Sequence, residues 1–228
     1  MFEYKGLKIK FSDEVYEPDD DTFLLLENII ASKSDEVLEI GVGCGIVSLF
    51  LAKTAKSVTG IDLNPSAVEL ARKNAKINKI ANVKFLKSDL FEKVNTLFNL
   101  IVFNPPYVPT EEKTGEPIAL AWDGGPDGRK VTDMFLKKAI KHIKPAGRII
   151  LVDSSLSKHE KTLEFLKKTG FKAKIIATKK LSFETLYIIL ATDCISKNPK
   201  KCVAFLGPRE SNPENQRFSR GLKPNKRA

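Results

Sequence analysis

Histidine, cysteine and long apolar runs are what this 228-residue chain has least of, and each shortage closes off a class of function. Three cysteines, Cys44, Cys194 and Cys202, show no C-x-x-C spacing, so neither a disulfide framework nor a zinc site is indicated and no metal ion is expected. The two histidines, His142 and His159, lie on charged helical segments and read as surface residues, not catalytic bases. No stretch approaches the roughly 20 apolar residues that cross a bilayer. The opening Met1-Phe2-Glu3-Tyr4-Lys5 lacks the basic-then-apolar layout of a secretion signal. The expectation is a cytoplasmic protein in a reducing compartment, without a membrane partner.

Positive charge is in excess, at +10, but it is unevenly placed. From Ser196 to Ala228 nine Lys and Arg stand against two Glu, a net +7, which leaves +3 for residues 1–195. The main body is therefore nearly balanced. The tail carries Pro199, Pro208, Pro213 and Pro224 with few apolar residues, and reads as a basic, mostly disordered extension. It is either a solubilising terminus or an arm that contacts RNA or the ribosome.

The first residues, Phe2 to Phe11, alternate apolar and polar around Lys5-Gly6, the pattern of a small hairpin. Val15-Tyr16-Glu17-Pro18 then leads into Asp19-Asp20-Asp21 and the apolar run from Thr22 to Ile30. Acids ahead of such a run mark a helix N-terminus, and the turn either caps alone or also closes over a ligand. From Val37 short apolar runs alternate with helical ones. Strands are expected at Val37–Ile40, Ser57–Ile61, Val83–Leu86, Leu97–Phe103, Arg148–Val152, Phe171–Ala177 and Leu186–Ala191. Helices are expected at Gly45–Ala55, Pro65–Asn78, Arg129–Ile143 and Lys158–Lys168. Repeated β-α units argue for an α/β fold, an open, mostly parallel, Rossmann-like sheet with helices on both faces. Residues 1–36 form a hairpin and helix packed on the core, 37–194 the main domain, and 195–228 the tail.

Ligands of such sheets bind at the carboxyl ends of the strands, and the unusual residues cluster there. Glu39-Ile40-Gly41-Val42-Gly43-Cys44-Gly45 joins the first long strand to its helix, with glycines that permit a tight turn and close approach of a ligand. Its G-x-G-x-G spacing departs from the G-x-G-x-x-G of nicotinamide enzymes, which disfavours an oxidoreductase. Asp62 ends the second strand, where a carboxylate can accept bonds from both hydroxyls of a ribose, and Asp89 ends the third. The strand Leu100-Ile101-Val102-Phe103 runs into Asn104-Pro105-Pro106-Tyr107. The proline after Asn104 holds its backbone extended. The Asn104 carboxamide oxygen and a proline-tract carbonyl can then accept both hydrogens of an –NH2 group, while the Tyr107 ring lies on its flat face. That is a site for an amide or an exocyclic amine.

In this order, Glu39-x-Gly41-x-Gly43-x-Gly45, Asp62, Asp89 and Asn104-Pro105-Pro106-Tyr107 resemble the class I S-adenosylmethionine-dependent methyltransferases that methylate planar nitrogens. Val15-Tyr16-Glu17-Pro18, Asp21-Thr22-Phe23-Leu24-Leu25-Leu26 and Ala121-Trp122-Asp123-Gly124-Gly125-x-Asp127-Gly128-Arg129 resemble, more narrowly, the archaeal and eukaryotic HemK-like methyltransferases of class 1 translation release factors. The resemblance covers roughly residues 15 to 192. It implies a seven-stranded methyltransferase sheet, S-adenosylmethionine as cofactor, and transfer to N5 of the glutamine in a release factor's GGQ motif. It also implies roles. The loop of Gly41, Gly43 and Gly45 would pass beneath the cofactor's methionine part, with Glu39 and Thr22 nearby. Asp62 would take the ribose hydroxyls, Asp89 the adenine amino group and the Leu90 backbone the ring edge. Asn104 would face both the methyl donor and the substrate nitrogen, with Pro105 and Tyr107 completing the catalytic loop. A small zinc-binding activator protein that pairs with a sheet edge is the partner implied by this branch. Cys44 stands where a small hydroxyl is commoner, and the basic tail lies outside the family pattern. Adenine N6 methylation, lysine methylation of a protein, and an idle binding module remain as alternatives. Trp122 is either a loop anchor or a lid.

Overall fold

A computed structural model of the chain describes residues 1–111 and 117–193, so the proposed tail lies outside the described residues. Strands β1 (Phe2–Tyr4) and β2 (Leu7–Ile9) form the expected hairpin. Lys5 and Gly6 both take positive φ, 47° and 77°, the two-residue turn whose twist matches that of the strands. Helix α1 (Asp20–Asn28) follows, capped by Asp19, whose Oδ1 accepts the Asp20 amide at 2.8 Å. Then come β3 (Glu36–Ile40), α2 (Ile46–Ala52), β4 (Ser57–Asp62), α3 (Pro65–Ile77), β5 (Val83–Lys87), β6 (Phe98–Phe103), α4 (Lys130–Ala139), β7 (Ile143–Ser154), α5 (His159–Lys168), β8 (Phe171–Lys180) and β9 (Thr185–Asp193).

The seven long strands lie in the order β5-β4-β3-β6-β7-β9-β8, parallel except for β9, which runs antiparallel to β7 and β8. The direction of winding reverses between β3 and β6, and that is where an open α/β sheet leaves a crevice for a ligand. The strands are apolar on both faces, as central parallel strands must be. Val37, Leu100, Val102, Ile150 and Ile188 pack against the hairpin, α1, α2 and α3. Leu38, Ile40, Ile101, Phe103, Ile149 and Ile189 pack on the other side with Phe135, Leu136 and Ala139 of α4 and Leu166 of α5.

The largest departure from the expected boundaries is at β7; α2 ends three residues early, at Ala52, and β8 runs three residues further, to Lys180. Helix α4 stops at Ala139, and β7 begins at Ile143, five residues before Arg148. Pairing with β6 passes from Phe98↔Ile143 to Leu100↔Arg148, so Lys144–Gly147 stand against the single Asn99. Pro145 has no amide to donate and Ala146 takes φ 61°, which breaks the ladder locally.

The hairpin is fastened by two amides one helical turn apart on α3. Asn78 exchanges bonds of 2.8 Å with the Lys8 N–H and C=O, and Asn74 bonds the Lys10 N–H at 2.9 Å and C=O at 3.0 Å. These side chains stand in for a missing strand along the edge of β2. Fully buried Asn74 also donates to the Cys44 carbonyl at 2.9 Å, tying the hairpin to the glycine loop. Among the described residues no helix is long and apolar enough to cross a membrane.

Candidate active site

The glycine loop leaves β3 through three left-handed residues, Gly41, Gly43 and Gly45, with φ of 68°, 52° and 86°. Gly45 is also a contact point: a Cβ there would lie 2.9 Å from the Ala71 Cβ of α3, so the loop can be seated only without a side chain. The tip of β4 holds the loop in place. Asp62 accepts the Gly43 amide at 3.0 Å with Oδ2 and the Asn64 amide at 2.9 Å with Oδ1. Burial raises the Asp62 pKa against these bonds. A carboxylate has about four acceptor sites, so ribose hydroxyls can be added to these two amides.

Glu39 is buried at the end of β3, 4% exposed. Its polar partner is Ser48, whose hydroxyl donates to Oε2 and whose backbone amide also supports the carboxyl. Burial pushes its pKa up to about 8, with the Asp62 charge adding to the rise. A neutral acid beside the glycine loop becomes a strong anchor once a cation arrives. Further along, Asp89 is exposed at the end of β5, and Leu90 is buried at φ 44° with its carbonyl held by the Ser88 hydroxyl at 3.0 Å. The Ser88 amide donates to the Asp62 carbonyl at 2.9 Å, which joins these two strand ends. The sequence thus brings Glu39, Gly41, Asp62 and Asp89 to neighbouring strand tips.

At the tip of β6, the Asn104 Nδ2 donates to Asp21 Oδ2 at 2.9 Å. Asp21 is 6% exposed, and its other oxygen accepts the Thr22 amide at 2.5 Å and hydroxyl at 3.1 Å. The Tyr107 hydroxyl also points at Oδ2, at the long distance of 3.4 Å. An ionised carboxylate can only accept, so it fixes which end of the Asn104 amide faces it. The other end, Oδ1, is shielded from solvent and has no hydrogen-bond partner among the described residues. Buried acceptors are rarely left so, and this one is open to a donor that the described residues do not supply. Burial raises the Asp21 pKa despite the bonds from Asn104 and Thr22, and lifts Tyr107 and Tyr16 well above the usual phenol range.

The wall behind Tyr107 is built by residues 121–129. The Val108 amide donates to the Trp122 carbonyl at 3.0 Å and the Gly124 amide to the Val108 carbonyl at 2.9 Å. Gly128 presses so closely on this loop that a Cβ would meet the Tyr107 carbonyl at 2.3 Å. Arg129, 2% exposed, locks the segment. Its guanidinium donates to Asp133 at 2.7 Å, to the Ser157 carbonyl at 2.6 Å, to the Lys158 carbonyl at 3.1 Å and to the Thr162 hydroxyl at 3.1 Å. Beside Tyr107 opens a pocket of about 200 Å³ lined by Tyr16, Asp19, Asp20, Trp122, Leu181 and Glu184, among others. Trp122 is half-buried on its wall.

The roles of three of these residues are not legible in the sequence. The acids ahead of α1 leave open whether the turn only caps or also closes over a ligand; Asp19 is the N-cap, while Asp21 accepts the Thr22 amide and also holds Asn104. Glu184, and Arg129 of the stretch that resembles the family, take their places only through the fold. The histidines need correction: neither is a free surface residue. The His142 ring stacks on Phe91 at 4.5 Å with its nitrogens against the Lys138 and Val94 carbonyls, and His159 stacks on Tyr187 at 3.8 Å. Both complete the packing of their helix ends. No cluster of metal-ligating side chains occurs among the described residues.

Residues 10–184 match the model of the methyltransferase small domain family. The chain is 45% identical over 194 residues, 84% of its length and 98% of the relative's, to the "Putative protein N5-glutamine methyltransferase" of Methanocaldococcus jannaschii. It is 31% identical to the eRF1 methyltransferase catalytic subunit mtq2 of Schizosaccharomyces pombe, across 80% of this chain and 91% of that one. Among solved structures, the Mtq2 of the E. cuniculi Mtq2-Trm112 complex superposes with a TM-score of 0.63 at 28% identity, over 79% of this chain and 99% of that one. With the strand order, the glycine loop and the Asn104 loop in place, the chain belongs to the methyltransferase small domain family, and within it to the HemK- and Mtq2-like class I methyltransferases.

Proposed function

We propose that the chain transfers a methyl group from S-adenosylmethionine to the side-chain amide nitrogen of a glutamine in a class 1 translation release factor, at the GGQ motif. The supporting relatives are named for that reaction or for methylation of eRF1. The observation that carries the reading is the buried, unpartnered Asn104 Oδ1, turned away from Asp21 by the bond to Nδ2.

The site residues fit the cofactor: Glu39 and the Gly41 turn for its methionine part with Thr22 nearby, Asp62 for the ribose, Asp89 and the Leu90 backbone for the adenine. When bound it supplies an electrophilic methyl on a sulfonium. The chain's own part is to hold and prepare the nucleophile. An amide nitrogen is weak because its lone pair is shared with the carbonyl. Acceptance of its two N–H bonds by Asn104 Oδ1 and the Pro105 carbonyl returns density to nitrogen and stabilises the developing positive charge. Tyr107, 9% exposed, offers its ring as a flat wall and helps exclude water.

The pocket beside this loop refines the substrate class. Asp19 and Glu184 line it with carboxylates, joined by Asp20, which is paired with Lys179 at 2.8 Å, and this acidic lining repels phosphates and so disfavours a nucleotide base as methyl acceptor. They suit a basic side chain that flanks the acceptor glutamine. The same lining supports a second reading, a lysine acceptor, which would have to shed its proton before attack. A small zinc-binding activator is the partner we assign, on a free sheet edge. Both edge strands carry lysines at the same density, but β8 also has a register shift between Ile175 and Ala177, a feature that discourages strand addition, so β5 is the favoured edge.

Asn104→Ala tests the reading. Loss of a preorganised partner costs about 3 kcal/mol in the transition state, a hundredfold or more in rate. The variant is expected to bind cofactor as the parent does in calorimetry and to lose at least that factor in turnover on a glutamine peptide. Turnover within tenfold of the parent would remove the assignment.

A further inference from the structure

The near neutrality of residues 1–195 hides a separation of charge. The segment 129–180, which builds α4, β7, α5 and β8, holds 15 Lys and Arg against four Asp and Glu, a net +11. The pocket mouth, in contrast, is ringed by acids. Part of that charge is matched: within the segment Asp153 is fully buried, Asp133 pairs with Arg129 and Glu164 with Lys168, and Lys144, Arg148 and Lys179 pair with Glu36, Asp35 and Asp20 outside it.

A groove of about 330 Å³ runs between α4 and α5, lined by Arg129, Lys137, Lys161 and Lys168 against the carboxylates Asp133 and Glu164, which pair with Arg129 and Lys168, and by Phe165. Lys137 and Lys161 have no carboxylate partner among the described residues. Lys161 and Lys168 are two helical turns apart on one side of α5, at a spacing of about 10 Å. Further exposed lysines, Lys138 and Lys167, extend the positive field along the helices. Apolar surface here is limited to the half-buried Phe165 ring and the exposed Met134, and no aromatic side chain is fully exposed on these two helices, which is little for a protein partner to anchor on. Flexible ammonium groups round a shallow groove instead suit a repeating phosphate chain, held by charge and released by salt.

We infer that the α4–α5 groove docks the phosphate backbone of RNA, away from the acidic mouth, so that the enzyme can be held on an RNA surface while its pocket stays free. The choice of RNA over DNA rests on the proposed function, since a release factor works on an RNA machine; the groove itself does not.

Full-length protein should be titrated by fluorescence anisotropy with a labelled single-stranded RNA of roughly 20 nucleotides, longer than common site sizes, across a salt series. The triple variant Lys137→Gln, Lys161→Gln, Lys168→Gln is expected to bind at least tenfold more weakly at low salt. The slope of log affinity against log salt should fall by about 2, three contacts at ~0.7 each. A control triple of equal charge loss, Lys8→Gln, Lys33→Gln, Lys76→Gln, is expected to lose less than threefold. Both triples should methylate a glutamine peptide within twofold of the parent. Equal losses in the two triples, no loss in the groove triple, or tighter binding of DNA or polyglutamate than of RNA would overturn the inference. Absence of methylation by the parent with groove-dependent RNA binding intact would remove the proposed function and leave only the RNA preference without its reason.

Discussion

Asp21→Asn is the substitution with the most specific expected outcome, because it changes one atom and reverses the logic of the site. In the parent, both Asp21 oxygens accept: Oδ1 from the Thr22 amide at 2.5 Å and Oδ2 from Asn104 Nδ2 at 2.9 Å. An asparagine at 21 must keep its oxygen on the Thr22 amide, because that donor is buried. Its NH2 then faces the NH2 of Asn104. The donor clash is relieved by rotation of the Asn104 amide, which turns its oxygen inward and offers the substrate a donor where an acceptor is needed. A hydrogen bond to a charged group contributes about 1.5–3 kcal/mol, and the loss of the Asn104 acceptor in the transition state about 3 kcal/mol. The expected result is a fall in kcat of roughly a hundredfold, with cofactor affinity unchanged. The decisive assay is a double-mutant cycle with single-turnover kinetics. If Asp21 acts through Asn104, then Asp21→Asn in the Asn104→Ala background costs little more. Additive losses, or Asp21→Asn with kcat near that of the parent, would refute the reasoning.

Further outcomes follow from the same geometry. Gly45→Ala combines a left-handed φ of 86° with a Cβ 2.9 Å from Ala71, and should destabilise the fold by about 2–4 kcal/mol with loss of cofactor binding, measured by denaturant unfolding and calorimetry. Glu39 has its pKa raised to about 8, and a bound cation favours the ionised form. Cofactor affinity should therefore rise by up to about tenfold per pH unit from pH 6 and level off above about 8, and Glu39→Gln should flatten that slope. Arg129→Met leaves the Ser157 and Lys158 carbonyls and Thr162 without their buried donor; a cost of about 3–5 kcal/mol in thermal unfolding is expected, with Arg129→Lys restoring less than half of it.

The parts of this protein legible in the sequence are those whose signal is local. Alternation of apolar runs and helical periods gave all seven strands of the sheet. The glycine loop and the Asn104 loop announced themselves through residues that only special backbone requires. Boundaries failed where a local break was hidden: nothing in Lys144-Pro145-Ala146-Gly147 says that β7 resumes pairing before it and not only after it. Asp21 was visible as an acid but not as the orienting partner of Asn104, because the two are 83 positions apart and meet only through the placement of α1 beside β6. The charge separation was invisible for a related reason. A sum over the sequence averages the acidic mouth with the lysines of α4 and α5, which the fold sends to different surfaces.

Whether Asn104 presents a glutamine amide for methylation can be read by mass spectrometry with residue-level fragmentation on the release factor of the source organism, incubated with S-adenosylmethionine and either the parent or Asn104→Ala. One added methyl on the side-chain nitrogen of the GGQ glutamine is expected with the parent and none with the variant. A methyl on a lysine, or on RNA, with the glutamine unmodified would rule out this role for Asn104.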